Sequence, residues 1–136
     1  MKIVSIDHTV LTVNDIQVTV DFYESTLGMA VETFGEGRIA LKFGAQKINL
    51  HLHGKEVEPK AESPTPGSAD LCFVTETPLD TAIAYVQSLG VEIIQGPAQR
   101  TGAQGPIQSL LFSRSRFKPD RSGKLRLSAN PPGILI

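Results

Sequence analysis

Cysteine is nearly absent from this chain: Cys72 stands alone among 136 residues. One thiol closes no disulfide framework and cannot furnish a Cys-based zinc site. Lying in the apolar run SADLCFVT, it is expected to be a buried structural thiol. No apolar stretch approaches the roughly 20 residues that span a bilayer, and nothing near Met1 reads as a signal peptide. The expectation is a soluble, cytoplasmic protein with no membrane partner. A strong charge of one sign is missing too, since Lys and Arg total 13 against 14 Asp and Glu. That near-balance hides a division. Up to Phe112 seven basic residues stand against thirteen acidic ones, whereas Ser113 to Ile136 hold six basic residues and Asp120 alone. An acidic body without a recognition motif argues against a nucleic-acid partner, despite the basic tail.

What remains is enough for one small globular domain, residues 1–136, with 40% hydrophobic content to build a core. The stretch IDHTVLTVNDIQVTVDFYESTLG, Ile6 to Gly28, organises the rest. Its first half alternates, with Ile6, His8, Val10 and Thr12 on the face read as inward and Asp7, Thr9, Leu11 and Val13 on the other. Asn14 or Asp15 can then cap a helix carrying Ile16, Val20, Tyr23 and Leu27 at helical spacing, and Gly28 is placed to end it in a left-handed cap. Three strand-like runs follow over 30–34, 38–43 and 47–53, separated by the turn sequences GEG and GAQ. This βαβββ order makes module one, 4–53. The segment 54–67, GKEVEPKAESPTPG, has no apolar periodicity and reads as a linker.

The order then recurs in module two, 68–112. A strand over 68–75 precedes a helix with Thr77 as its cap, Pro78 in the first turn, Asp80 as a capping-box acid, and Leu79, Ile83, Val86 and Leu89 as its stripe; Gly90 ends it. His8 to Gly28 and Asp70 to Gly90 have the same length, so the halves superpose with a period of 62 residues, and that offset sets Arg38 on Arg100. Duplication has a physical reason, because one βαβββ unit leaves a sheet face uncovered.

A βαβββ repeat with His on its first strand and FYxxxLGM on its first helix (Phe22, Tyr23, Leu27, Gly28, Met29) resembles the vicinal oxygen chelate superfamily, which includes glyoxalase I, fosfomycin and bleomycin resistance proteins and extradiol dioxygenases. KINLH (Lys47 to His51), EPKA (Glu58 to Ala61), GSADLCF (Gly67 to Phe73) and GPAQRTGAQGPI (Gly96 to Ile107) resemble the subgroup of glyoxalase domain-containing protein 5, with its bacterial virulence-associated relatives. The resemblance implies an α+β fold in which two tandem βαβββ modules form a cup-shaped, curved mixed sheet with flanking helices. It implies a divalent cation (Zn, Ni, Mn or Fe(II)) held by the first and last strands of each module. His8 and Asp70 fall on the two first-strand positions, and Asn49 or His51 on the last strand of module one. An imidazole and a carboxylate suit such ions. Arg38, Arg100, Thr101 and Gln104 become candidates for holding a substrate, with the Gly102 to Pro106 turn either a lid over it or a passive hairpin. Two functions follow from the resemblance: a metal-dependent enzyme of lactoylglutathione lyase or dioxygenase type, or a non-catalytic small-molecule binder. Relatives commonly pair as homodimers.

The tail 113–136 departs from the pattern. Relatives close with a hairpin of the form FRDPDGNLIEV, whose glutamate completes the metal site, and this chain has SRSRFKPDRSGKLRLSANPPGILI after Phe112. Codons can be written for this stretch such that deleting one T near Phe112 yields Phe-Arg-Asp-Pro-Asp-Leu-Asn-Leu-Ile-Glu-Val-Ala-Asn. The tail therefore reads as frameshifted, by a gene lesion or a sequencing error, with the ligand glutamate displaced at about Arg121. A basic segment in its place is expected to bring no carboxylate to the metal and to leave a sheet edge exposed.

Overall fold

The computed structural model describes residues 1–113 and 124–129. The chain divides into two compact units, residues 1–68 and residues from 69 onward. In the first, β1 (His8–Val13) leads into α1 (Ile16–Leu27), followed by β2 (Ala30–Phe34), β3 (Arg38–Phe43) and β4 (Gln46–Leu52). In the second, β5 (Asp70–Val74), α2 (Leu79–Ser88), β6 (Ile93–Gly102), β7 (Gly105–Ser113) and β8 (Lys124–Ala129) repeat that order. Each unit is a four-stranded mixed sheet of the same topology, β1-β4-β3-β2 and β5-β8-β7-β6, in which the first strand lies parallel to the last. The duplicated βαβββ architecture is thus present, and the fold is α+β.

Helix α1 forms where the sequence supplies both ends. Asp15 is in extended backbone and its carboxylate accepts a hydrogen bond from the Val18 amide at 2.9 Å, satisfying one of the donors a helix start leaves open. Gly28 closes the helix at φ 65°, and Gly90 repeats that conformation at φ 72° after α2. The start of α2 differs from its expected form. Pro78 takes the cap position, no side chain caps the helix, and Asp80 accepts from the Thr81 amide next to it. Thr77 is drawn away instead, its amide donating to the Thr75 hydroxyl at 3.1 Å.

Each helix covers one face of its own sheet. Leu11, Val13, Leu41, Ile48 and Leu50 are buried on the first sheet, and Val20, Phe22 and Tyr23 are buried on α1. Phe22 and Tyr23 meet edge to face with centroids 5.7 Å apart. In the second unit Leu110, Phe112, Leu125 and Leu127 are buried on the sheet, and Ala82 and Val86 on α2. Side chains of this size contribute roughly 1.5–3 kcal/mol each when fully buried, which makes these faces the cores. The strand alternation of β1 is as expected but its sides are reversed: Leu11 and Val13 face the core, whereas His8 and Val10 are exposed on the opposite face.

The period of 62 holds from His8 and Asp70 as far as Gly28 and Gly90 and then drifts, because β7 begins 67 residues after β3. Arg38 opens β3, whereas Arg100 lies on β6, the counterpart of β2, so the two arginines are not equivalent. The drift includes two register shifts in β6, between Ile93 and Gln95 and between Gln95 and Ala98. Gly96 makes this possible. Its backbone, at φ 120°, approaches β7 so closely that a Cβ would sit 2.7 Å from the Ser109 carbonyl oxygen and 2.8 Å from Leu110 Cα. Gly96→Ala is therefore expected to destabilise the protein by on the order of 2–3 kcal/mol, through both the clash and the disallowed φ. Urea unfolding of the two proteins checks this.

Candidate functional site

In the second unit, strand register collects a set of polar side chains on the face that α2 does not cover. Asp70, Cys72 and Val74 alternate along β5, and β8 places Lys124, Arg126 and Ser128 directly beside them. Pairing of β7 with β8 adds Ser109, opposite Ser128, and pairing of β6 with β7 adds Arg100, opposite Ile107. Above this face lies a cavity of about 740 Å³. Such a volume is ample for a small organic ligand, since ligand sites commonly run to roughly 300–1,000 Å³. Its lining combines apolar Val74 and Ile107, the hydroxyls of Ser109 and Ser128, the thiol of Cys72 and the guanidinium groups of Arg100 and Arg126. Thr101 and Gln104 line it from the hairpin, where Gly102 pairs with Gly105 across a two-residue turn at Ala103 and Gln104.

Cys72 is not the buried thiol expected of it: it is exposed, with Sγ 3.2 Å from the Ser128 hydroxyl. The reason is strand parity, because Leu71 and Phe73 take the face toward α2 and leave Cys72 on the cavity side. Asp70 is half exposed for the same reason, and its carboxylate lies 3.4 Å from Arg126 Nη2. The expected bare edge is also not found. β8 occupies the place between β5 and β7, with Leu125, Leu127 and Ala129 turned to the core. The displaced glutamate near Arg121 lies outside the described residues.

In the first unit the equivalent face carries His8, Lys47, Asn49 and His51. His8 is exposed, and its ring nitrogen donates to the Asp7 carboxylate at 2.7 Å. This hydrogen bond holds the Asp7 carboxyl below the usual carboxylate range. Asn49 Oδ1 is buried with no hydrogen-bond partner among the described residues. His51 is 6% exposed and pairs with Thr12, four residues along the strands from the pairing of His8 with Lys47. At about 3.3 Å per residue that is about 13 Å, too far for His8 and His51 to share one ion. Arg38 stacks on Phe34 with its guanidinium 4.6 Å from the ring centroid, and Lys47 approaches the same ring at 4.3 Å.

The two registers define equivalent last-strand positions. Asn49 pairs with Val10, Arg126 pairs with Cys72, and Val10 and Cys72 are 62 residues apart. The module-two counterpart of Asn49 is therefore Arg126. The resemblance implies metal ligands at His8, Asp70 and either Asn49 or His51, with a fourth at about Arg121 outside the described residues, and Arg126 is the register counterpart of Asn49. An amide is a poor ligand, a guanidinium repels a cation, and the Asp70 carboxylate is already paired with that guanidinium. Among the described residues no three His, Cys, Asp or Glu side chains gather as a metal-binding group. Among the described residues the donor set does not fit a divalent ion. Arg126, Ser128 and the accessible Cys72 were not legible as cavity residues from the motifs, although KLRLSA alternates apolar and polar residues as a half-buried strand does.

This fold and strand arrangement define a class. A family model for the Glyoxalase/Bleomycin resistance protein/Dioxygenase superfamily matches residues 5–112, and the chain belongs to that family. Virulence protein STM3117 of Salmonella typhimurium is 54% identical over 110 residues, which are 81% of this chain and 76% of that protein. Its crystal structure superposes with a TM-score of 0.90 over 96% of this chain and 100% of the other, at 46% identity. Glyoxalase domain-containing protein RDO1 of Mycosarcoma maydis is 52% identical over 110 residues, 81% of this chain and 62% of its own length. An integron cassette protein from the mobile metagenome of V. cholerae, VCH_CASS1, matches with a TM-score of 0.89 at 50% identity, covering 96% of this chain and 98% of its own.

Two outcomes test this geometry. Native protein should be alkylated by N-ethylmaleimide at one site, Cys72, without denaturant, as intact mass reads directly. His8→Ala should let the Asp7 carboxyl titrate at a higher pH, nearer its ordinary value, which carboxyl-detected NMR follows. The sign for stability follows from the depressed value: the contribution is present above the unfolded-state value and is lost as pH falls through the folded one.

Proposed function

We propose that this chain is a small-molecule-binding member of its family, taking an organic ligand into the cavity of its second unit without a metal ion. The observation that carries this reading is Arg126, a cation at the register counterpart of Asn49, whose guanidinium engages the Asp70 carboxylate that a metal would need. The cavity's volume and its mix of apolar and hydrogen-bonding walls suit sequestration of a small organic ligand. We take the protein to act as a homodimer in the cytoplasm, in keeping with the habit of such domains, and sedimentation velocity tests the pairing. We also propose that the segment beginning at Ser113 arose by a change of reading frame. Its support is that the family match ends at residue 112, where the alternative frame restores a glutamate-bearing strand. Resequencing the 3′ end of the gene checks it, and an unbroken frame with no extra base overturns it.

The metal question has a direct experiment. Protein loaded in turn with Zn, Ni, Mn and Fe(II), then desalted and measured by ICP-MS, is expected to retain far less than one ion per chain, and His8→Ala should retain the same. One full equivalent that disappears in His8→Ala would restore the metalloenzyme reading and remove this one.

A further inference from the structure

We infer that the occupant of the second-unit cavity is an organic anion, its carboxylate, phosphate or phosphonate group received by guanidinium groups supplied by Arg126 and Arg100. This rests on the reading of that cavity as the ligand site and names the chemistry of what enters it. The charge count decides it. Of the eleven described residues that line the cavity, two are cationic and none is acidic. Asp70, on the same sheet face, is outside the lining, and it touches Arg126 through one oxygen at 3.4 Å. A guanidinium has five N–H donors, so one such contact orients the group while leaving donors for a ligand. Arg100 has no carboxylate partner among the described residues.

Position strengthens the case. Both arginines project from strands of a hydrogen-bonded sheet, so their bases are fixed before any ligand arrives. Arg126 is on β8 and Arg100 on β6, with β7 between them and four residues of β7 separating their partners Leu111 and Ile107. From strand spacings of about 4.8 Å and a rise of about 3.3 Å, their Cα atoms are about 16 Å apart. The two side chains therefore rise from well-separated points of the cavity wall, with Ile107 and the Ser109 hydroxyl between, and each guanidinium has a long flexible stem that can bring it inward to a shared anionic group. A bare phosphate would leave most of 740 Å³ empty, whereas an anion with an apolar body meets Val74 and Ile107 as well.

Cys72 supplies a built-in reporter, because it lines the same cavity and is the sole thiol in the chain. The test compares benzoate, phenylphosphonate and the neutral isostere benzamide, each titrated against the rate of Cys72 alkylation by N-ethylmaleimide and by calorimetry. Benzoate and phenylphosphonate are expected to protect Cys72 at concentrations about tenfold below benzamide, and increasing ionic strength should weaken that protection. Arg126→Gln and Arg100→Gln should each bring the anions' affinity toward that of benzamide while leaving benzamide unchanged. Asp70→Asn, which frees the Arg126 guanidinium, should retain or strengthen anion binding. If benzamide protects as well as the two anions, the cavity remains the ligand site and the inference of an anion fails. Should none of the three slow alkylation or give heat, the cavity reading and the inference fall together. Far-UV circular dichroism of each variant separates lost binding from lost fold, and Arg100→Gln decides the matter if Arg126→Gln does not fold.

Discussion

Each unit of this protein has two sheet faces and one helix to cover them. That shortage is the constraint from which the rest follows. Alternate residues of every strand are committed to the face under the helix, where Leu11, Val13, Ile48 and Leu50 in the first unit and Leu110, Phe112, Leu125 and Leu127 in the second exclude water. Their neighbours have no such obligation. Polar and ionisable side chains accumulate on the other face because folding does not forbid them there, and chemistry becomes available where packing makes no demand.

Parity explains why the second unit offers a cavity of one particular character. Once Leu71 and Phe73 face the helix, Asp70 and Cys72 must face away, and parallel pairing brings Arg126 and Ser128 alongside them. The contact between Asp70 and Arg126 is half exposed, so it adds little to stability. Its importance is electrostatic. A carboxylate that would otherwise contribute negative potential to a cation site is matched by a guanidinium, and Arg100 then tips the balance of the cavity wall to positive.

Much of the fold was legible because local signals agreed with one another. Asp15, the helical spacing from Val20 to Tyr23 and the glycine at 28 all point to one helix, and repetition after 62 residues points to a second unit. Among the features that were not legible, three show the physical reason plainly. The core side of β1 was misassigned because both sets of its alternating residues are largely apolar or small, and only the helix packed on it decides between them. Burial of Cys72 was inferred from apolar neighbours in sequence, but neighbours in a strand point the opposite way. The equivalence of Arg38 and Arg100 assumed a constant period, and the shifts around Gly96 break it, since the close approach there depends on a contact with Ser109 that no local pattern encodes.

The last strand shows how fold and ligand chemistry can part company. To complete the second sheet, β8 needs only apolar residues at alternate positions, and Leu125, Leu127 and Ala129 meet that need. Register with β5 and β7 is then specified by the buried face, because a slip of one residue would bury Arg126 and expose the leucines. The other face is free to carry whatever the intervening codons specify, and here it carries Lys124, Arg126 and Ser128. A segment unlike the family's glutamate-bearing strand can therefore preserve the architecture while its other face carries different side chains. Similarity of fold to relatives at TM-scores near 0.9 consequently says little about ion preference, which depends on side chains that the core never tests.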